Sequence, residues 1–474
     1  MLLDSQNQDT LKNVRHRSLL TLMVSIATLS FCYLLIVPPN AGPEEINHAQ
    51  GAWYLSGNPS EILAKKTEIS FEFPSEITIV NPGGYLQNLA CFSQKMEVPA
   101  SCQKISTGST KQLEVPMLNR SILYYLLIGF GERSSIIGNV YYAGKFTSFI
   151  ICLSLVFIGL VRLYFNRIPN SLGAVFLSLT GTVYFFFSVI NPSSLEFAST
   201  LYFVSSLIIA NRVHNKSSLT HLLFSAILLI LARSLGGLWI IGFVAMVKLV
   251  SGSCRHHKLL TSMAVLGTFA QYLLGNRNYS LGDFDPPWNF YLEELVRVFN
   301  GSGEWIVSYF GTLAWSEIRL PLILVFVLLI SYISLILKVT SKNKNQREIL
   351  FSLFLGIWLV PVLIAVAFSK DWPGYWQGRY SLPFLIGALI IIICYSQPLD
   401  LRVYMVFLFL SNTYLILLTF ARFNWGLYGT NTPIIANGWS FSATISGAFF
   451  ILFSAYVAST IAFIRSQSEA RQNF

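Results

Sequence analysis

Apolar stretches long enough to cross a lipid bilayer recur along this chain from residue 19 to residue 464, most of them in close order after one long polar interval. A hydrocarbon core of about 30 Å needs about 17 to 25 apolar residues per helical crossing, and lipid offers no partner for a strand edge. The chain is therefore expected to be an all-α integral membrane protein. Its hydrophobic content of 54%, charged content of 11% and mean hydropathy of +0.57 agree with that class and exclude an ordinary soluble domain.

The stretches predict about twelve spans, within a range of about 11 to 13. They cover residues 19–37, 140–160, 172–190, 195–210, 219–232, 235–250, 259–274, 318–337, 350–368, 382–394, 403–420 and 441–464. The pair flanking Arg233 is read as two spans, with one bent span as the alternative that would make the count odd. Residues 1–18 form a cytoplasmic N-terminal segment, 19–464 the polytopic domain and 465–474 a cytoplasmic tail. The first span reads as a retained anchor, because Pro38-Pro39-Asn40-Ala41-Gly42 makes a poor cleavage site. Lys12, Arg15, Arg17, Arg162, Arg167, Arg212, Lys216, Arg255, Lys258, Lys338, Lys342, Lys344, Arg347, Arg465 and Arg471 all fall on one side of the alternating spans. That side is expected to be cytoplasmic, which accounts for the formal charge of +10 without a nucleic-acid partner. Two long loops, 38–135 and 275–317, then face outward.

The first outer loop begins with Pro43-Glu44-Glu45-Ile46-Asn47-His48. Proline and acidic residues suit a first helical turn, and helical spacing would bring Glu44, Glu45 and His48 to one face as an acid/base cluster. The plain alternative is that the dipole alone places the two carboxylates there. Residues 67–80 alternate like one or two short strands. Residues 119–130 and 288–299 read as helices lying in the interface, the first with Tyr124 and Tyr125 at headgroup depth. Cys91 and Cys102 share this exported loop, and a bridge is favoured over two free thiols; the other four cysteines fall in spans or a cytoplasmic loop.

Arg379, Lys370 and Arg233 lie at outer span ends, where they could neutralise an anionic group or simply anchor the helices. Glu196 is the natural structural partner for Arg233, and Lys145 is expected to reach the outer surface. Trp53, near the acidic cluster, and Trp376, near Arg379, could stack on a sugar or belong to the aromatic belt. Asp283-Phe284-Asp285 has a metal-binding spacing, but turn chemistry is the better reading. No cofactor is required, and a divalent cation is neither required nor excluded.

An ordered set of elements carries a resemblance. Glu44-Glu45-Ile46-Asn47-His48 stands where an Asp-Glu-Pro-any-His signature is expected, with glutamate for aspartate and isoleucine for proline. The cysteine pair, Leu123-Tyr124-Tyr125, Asn191-Pro192, Arg233 before a glycine pair, and Gln377-Gly378-Arg379-Tyr380-Ser381-Leu382-Pro383 follow in order. Together they resemble the bacterial family known as domain of unknown function 2142, which is similar to the GT-C class of membrane glycosyltransferases. The resemblance implies a GT-C-like fold in the bacterial cytoplasmic membrane, with both termini cytoplasmic. It also implies inverting transfer of a sugar from a polyprenyl-phosphate donor to a cell-envelope glycan or lipid acceptor on the outer face. Glu44, Glu45 and His48 would be catalytic, Arg379, Lys370 and Arg233 would hold the donor phosphate, and Trp53, Tyr124, Tyr125, Trp376 and Gln377 would line the substrate. A polysaccharide polymerase or ligase, or a transporter of lipid-linked or small solutes, is the alternative; the transporter is disfavoured by the lack of a repeat or of mid-span charges.

Overall fold

Seven helices among the described residues are long and apolar enough to cross a membrane: Asn13–Ile36, Val140–Phe165, Pro192–Arg212, Leu322–Thr340, Gln346–Ala367, Arg402–Trp425 and Thr444–Gln467. Lys216–Ala232, Gly236–Ser251 and Leu382–Tyr395 are shorter apolar helices. The computed structural model describes residues 2–57, 76–80, 91–103, 112–116, 121–134, 140–275, 287–314, 316–367, 369, 377–426 and 443–472.

The chain opens with α1 (Leu2–Ile36) and α2 (Glu45–Gly57). Strands β1 (Glu76–Val80) and β2 (Gln112–Pro116) pair antiparallel with Glu76 opposite Pro116, followed by α3 (Ile122–Arg133). Next come α4 (Val140–Phe165), α5 (Ser171–Ser178), α6 (Gly181–Phe187), α7 (Pro192–Arg212), α8 (Lys216–Ala232), α9 (Gly236–Ser251) and α10 (His257–Gly275). Helices α11 (Trp288–Gly301) and α12 (Gly303–Gly311) lead into a two-residue hairpin, β3 (Thr312–Leu313) with β4 (Ile318–Arg319). The last helices are α13 (Leu322–Thr340), α14 (Gln346–Phe354), α15 (Val360–Ala367), α16 (Leu382–Tyr395), α17 (Arg402–Trp425) and α18 (Ala443–Gln472).

Helix α7 is the axis of the bundle. Every residue from Pro192 to Ala210 is buried, with α4, α8 and α16 packed around it. Its start is set locally, since Asn191 Oδ1 accepts from Ser193 N at 3.0 Å and Pro192 occupies the first turn. Helix α16 is likewise buried from Leu382 to Cys394. The terminal helices α1 and α18 lie side by side, joined by Ser18–Ser466 at 2.7 Å and Ser25–Thr460 at 2.6 Å. Small hydroxyl residues at such a seam let two backbones approach and satisfy each other in an apolar setting.

Two expectations change, and one alternative is resolved. The span at 172–190 is not one helix: α5 ends at Ser178 and α6 starts at Gly181. Backbone groups freed at this break find partners, with Leu179 O accepting from Asn412 Nδ2 at 3.3 Å and Leu177 O from the Tyr332 hydroxyl. Thr180 Oγ1 donates to Tyr309 O at 2.8 Å, so neighbouring elements stabilise a break that lipid could not. The stretches flanking Arg233 are two helices, as the separate stretches 219–232 and 235–250 predict, because the backbone of Arg233 is extended and ends α8. Lys145 does not reach the surface. Its side chain is fully buried and its ammonium donates to Val37 O at the end of α1.

A disulfide joins Cys91 to Cys102, and the segment between them is seated on the end of α17 by Arg422. This fully buried guanidinium donates to Val98 O at 2.6 Å, Phe92 O at 2.8 Å and Lys95 O at 3.0 Å. It also pairs with Glu317 at 2.6 Å, and Glu317 in turn accepts from Gln94 N. Arg422→Leu would leave the Glu317 carboxylate buried without a counter-charge, a change that costs about 3–5 kcal/mol. Thermal unfolding in detergent should show the loss, and Glu317→Gln on the same background should recover part of it.

Helix α3 carries a different buried acid. Glu132 is fully buried against α4, where a Cβ on Gly144 would lie 2.7 Å from its Cγ, and neither carboxyl oxygen has a hydrogen-bond partner among the described residues. Burial pushes its carboxyl well above the usual range, against a smaller opposing pull from Arg133. A folded value above the unfolded one means that the folded state holds the proton longer. Stability should therefore fall as pH rises through the usual carboxylate range toward the raised value. Glu132→Gln should flatten that slope in melting curves recorded across pH.

Candidate functional site

Glu45 and Glu44 are neighbours in sequence with opposite surroundings. Glu45 begins α2 and is fully buried, its Oε2 accepting from Gly42 N at 2.9 Å and its Oε1 from Ile190 N at 2.9 Å. Burial pushes its carboxyl up from the usual range, while Lys145, the Tyr141 hydroxyl and these two backbone N–H groups pull it back. Asn191 Nδ2 adds a bond to Pro43 O at 3.1 Å. The acidic turn is thus fastened to the connection between α6 and α7.

Glu44 is half-buried, and its φ of 57° lies in the left-handed region. It precedes α2, so its side chain leaves the helical register expected for the three residues, while Glu45 and His48 keep their three-residue spacing within the helix. His48 is buried, with Nδ1 2.9 Å from the Tyr125 hydroxyl and the two rings stacked. Tyr124 and Tyr125 are buried within the protein, and the Tyr124 hydroxyl lies 3.1 Å from Ser148 Oγ. Trp53 is half-buried, and Arg133 covers one of its faces at 4.2 Å while donating to its carbonyl at 2.9 Å.

Opposite the acidic turn, two buried arginines converge on Tyr380. The Arg233 guanidinium stacks over the Tyr380 ring at 4.1 Å, and Arg379 donates to the Tyr380 hydroxyl at 3.3 Å. Burial by itself raises the Tyr380 phenol, but the two guanidinium charges outweigh it and hold the group below the usual tyrosine range. Glu44 acts on the same phenol in the opposite sense, which places its charge within reach of this cluster.

Local structure explains the convergence. Gly378 opens a short 3₁₀ turn, Gly378–Tyr380, that lies against α12; a Cβ there would sit 1.9 Å from Ser308 Oγ and 2.4 Å from Trp305 O. Arg233 is held at the opening between α8 and α9 by Ser193 Oγ at 2.6 Å and by Glu196 at 3.6 Å, and Glu196 also accepts from Trp239 Nε1 at 3.0 Å. Arg379 forms no ion pair among the described residues, and its buried Nε has no hydrogen-bond partner. A buried donor left open in a cationic cluster is suited to receive an anion from outside.

Gln377 is exposed at the edge of this cluster. Lys370, Trp376, Asp283 and Asp285 lie outside the described residues. No group of three or more metal-type side chains occurs among the described residues. Tyr380, Ser193 and Tyr141 were not assigned roles from sequence; only Tyr380 had a signal, its place beside Arg379 in the Gln-Gly-Arg-Tyr element.

The family of predicted membrane proteins called domain of unknown function 2142 matches residues 28–274, more than half of the chain, and the protein belongs to it. The matched region carries Glu44, Arg233 and the intervening cysteine pair, while Arg379 lies beyond it. No curated protein and no solved structure matches the chain.

The contrast between the two glutamates is measurable. Glu44→Asn, which tolerates a left-handed backbone better, should stabilise the protein by up to about 1 kcal/mol. Glu45→Ala should destabilise it by about 3 kcal/mol or more by orphaning two backbone donors and Lys145. Melting temperatures of the two variants in one detergent compare them directly.

Proposed function

We propose that this protein is a membrane glycosyltransferase that moves a sugar from a polyprenyl-phosphate donor to a cell-envelope glycan or lipid acceptor. The observation that carries the reading is the pair of buried guanidiniums gathered on Tyr380 within electrostatic reach of a half-buried, strained carboxylate. In this reading the chain crosses a bacterial cytoplasmic membrane about twelve times in a GT-C-like arrangement. The α5–α6 pair counts as one crossing, and the site faces outward. The basic residues at the opposite helix ends, such as Arg212 bound to Cys394 O at 2.8 Å, support that orientation.

Glu44 takes the proton of the acceptor hydroxyl as its oxygen bonds to the anomeric carbon, and the bond from that carbon to the donor phosphate breaks with inversion. The departing phosphate keeps the electron pair, and Arg379 and Arg233 stabilise its charge. A phosphate held this way needs no protonating acid, and the reading needs no cofactor. Glu45 acts as the anchor of the turn.

Glu44→Gln should fold and insert normally yet lose transfer by about 100-fold or more, the usual contribution of a general base. Arg379→Ala should raise the donor KM in the same radiolabelled lipid-sugar assay. Full activity of Glu44→Gln would remove the assignment of the base. Transport is the second reading, favoured by the break between α5 and α6. Uptake by reconstituted vesicles with no change in lipid-linked sugar would select it.

A further inference from the structure

The two arginines of the site are not equivalent, and the difference is a charge count. Arg233 already has a buried carboxylate beside it, Glu196 at 3.6 Å, and Glu196 is fixed from its other side by the Trp239 indole at 3.0 Å. Both partners are nearly or fully closed to solvent, so their charges are weakly screened. Arg379 is 5% exposed, has no ion pair among the described residues and leaves its Nε unpartnered. Among the described residues the buried groups of this cluster therefore sum to two cations and one anion, leaving a single positive charge and one open guanidinium edge. Glu44 is half-buried and its charge is correspondingly more screened.

We propose that Glu196 is a specificity-determining residue: by neutralising one arginine it fits the site to a singly charged phosphodiester and disfavours a doubly charged diphosphate diester of the same lipid. A diphosphate would bring its second charge toward the Glu196 carboxylate with no uncompensated cation among the described residues to receive it. Such an unpaired or like-charged contact against the wrong ligand is how sites built on charge discriminate. Glu196 acts through Arg233 and does not touch the reacting atoms. The inference rests on the anion-site reading given above and adds to it which phosphate the site accepts and which residue decides.

The test uses the full chain in detergent micelles and two synthetic probes, octyl methyl phosphate and the corresponding octyl methyl diphosphate, with binding measured by calorimetry. The wild type should bind the phosphodiester about ten-fold more tightly, and Glu196→Gln should bring the two within about two-fold or reverse the order. Since Glu196→Gln alone exposes Arg233 to an unbalanced charge, Arg233→Gln with Glu196→Gln provides a second variant that restores the single net positive charge. That double variant should recover the preference for the phosphodiester. Binding of both probes with a ratio that Glu196→Gln leaves unchanged, or a double variant that prefers the diphosphate, overturns the role of Glu196 and leaves the anion site standing. Binding of neither probe, with Arg379→Ala indistinguishable from wild type, overturns the anion site and the selection together.

Discussion

The buried carboxylate of Glu45 is the contact on which the candidate site depends. Through Gly42 N and Ile190 N it ties the exit from α1 to the connection between α6 and α7, and Lys145 and Tyr141 of α4 close on it from a third side. Lys145 bonds Val37 O and Tyr141 accepts from Asn40 N at 2.9 Å, so the same two residues also hold the end of α1 and the chain leaving it. Gln103, next to the disulfide, adds a bond from its Nε2 to Pro39 O at 2.7 Å. An acid so enclosed is poorly placed to accept a substrate proton. Its fixed geometry instead sets where the preceding residue, Glu44, must point.

Buried charges elsewhere in the bundle serve two purposes, distinguished by how completely they are matched. Arg422 meets three carbonyls and Glu317, leaving none of its nitrogens open, and its effect is to dock the disulfide loop. Arg379 is equally enclosed but under-satisfied, with an aromatic ring on one side and an unpartnered Nε. A guanidinium carries five donors in a fixed fork, so a deficit there defines a vacancy of particular shape and charge. That difference, more than burial itself, separates a structural arginine from one suited to a ligand.

Much of the architecture was legible because membrane insertion and secondary structure write themselves into local pattern. Apolar runs marked the seven long apolar helices found among the described residues, alternation at 67–80 pointed to the strand now seen at Glu76–Val80, and the proline-acid start at residue 43 marked α2. What escaped the sequence was set by tertiary contact. The break before Gly181 lies within a stretch apolar enough to read as one span, and contacts from Asn412, Tyr332, Tyr309 and Ser308, all more than a hundred residues away, stabilise it. Lys145 looked like any span-end lysine because its partner Glu45 is distant in sequence. Tyr380 was visible as a letter in a motif, but its role between two arginines follows from the meeting of the α8–α9 connection with the start of α16.

The left-handed backbone at Glu44 bears on why the acidic turn has its composition. For a side chain with a Cβ this conformation costs about 1–2 kcal/mol, and aspartate and asparagine tolerate it best because their short polar groups can bond locally. An aspartate, the residue that the family resemblance expects here, would fit this backbone with less strain. Glutamate accepts more strain and extends the carboxylate by one methylene, away from the turn that Glu45 locks and toward the cluster on Tyr380. Strain retained at a half-buried, unneeded residue would be relieved by ordinary drift; strain held in place by Gly42, Ile190 and Asn191 contacts instead directs the charge. The substitution thus trades backbone comfort for reach, and under the proposed function, in which Glu44 is the base and must meet a proton at about 3 Å, reach is the quantity that matters.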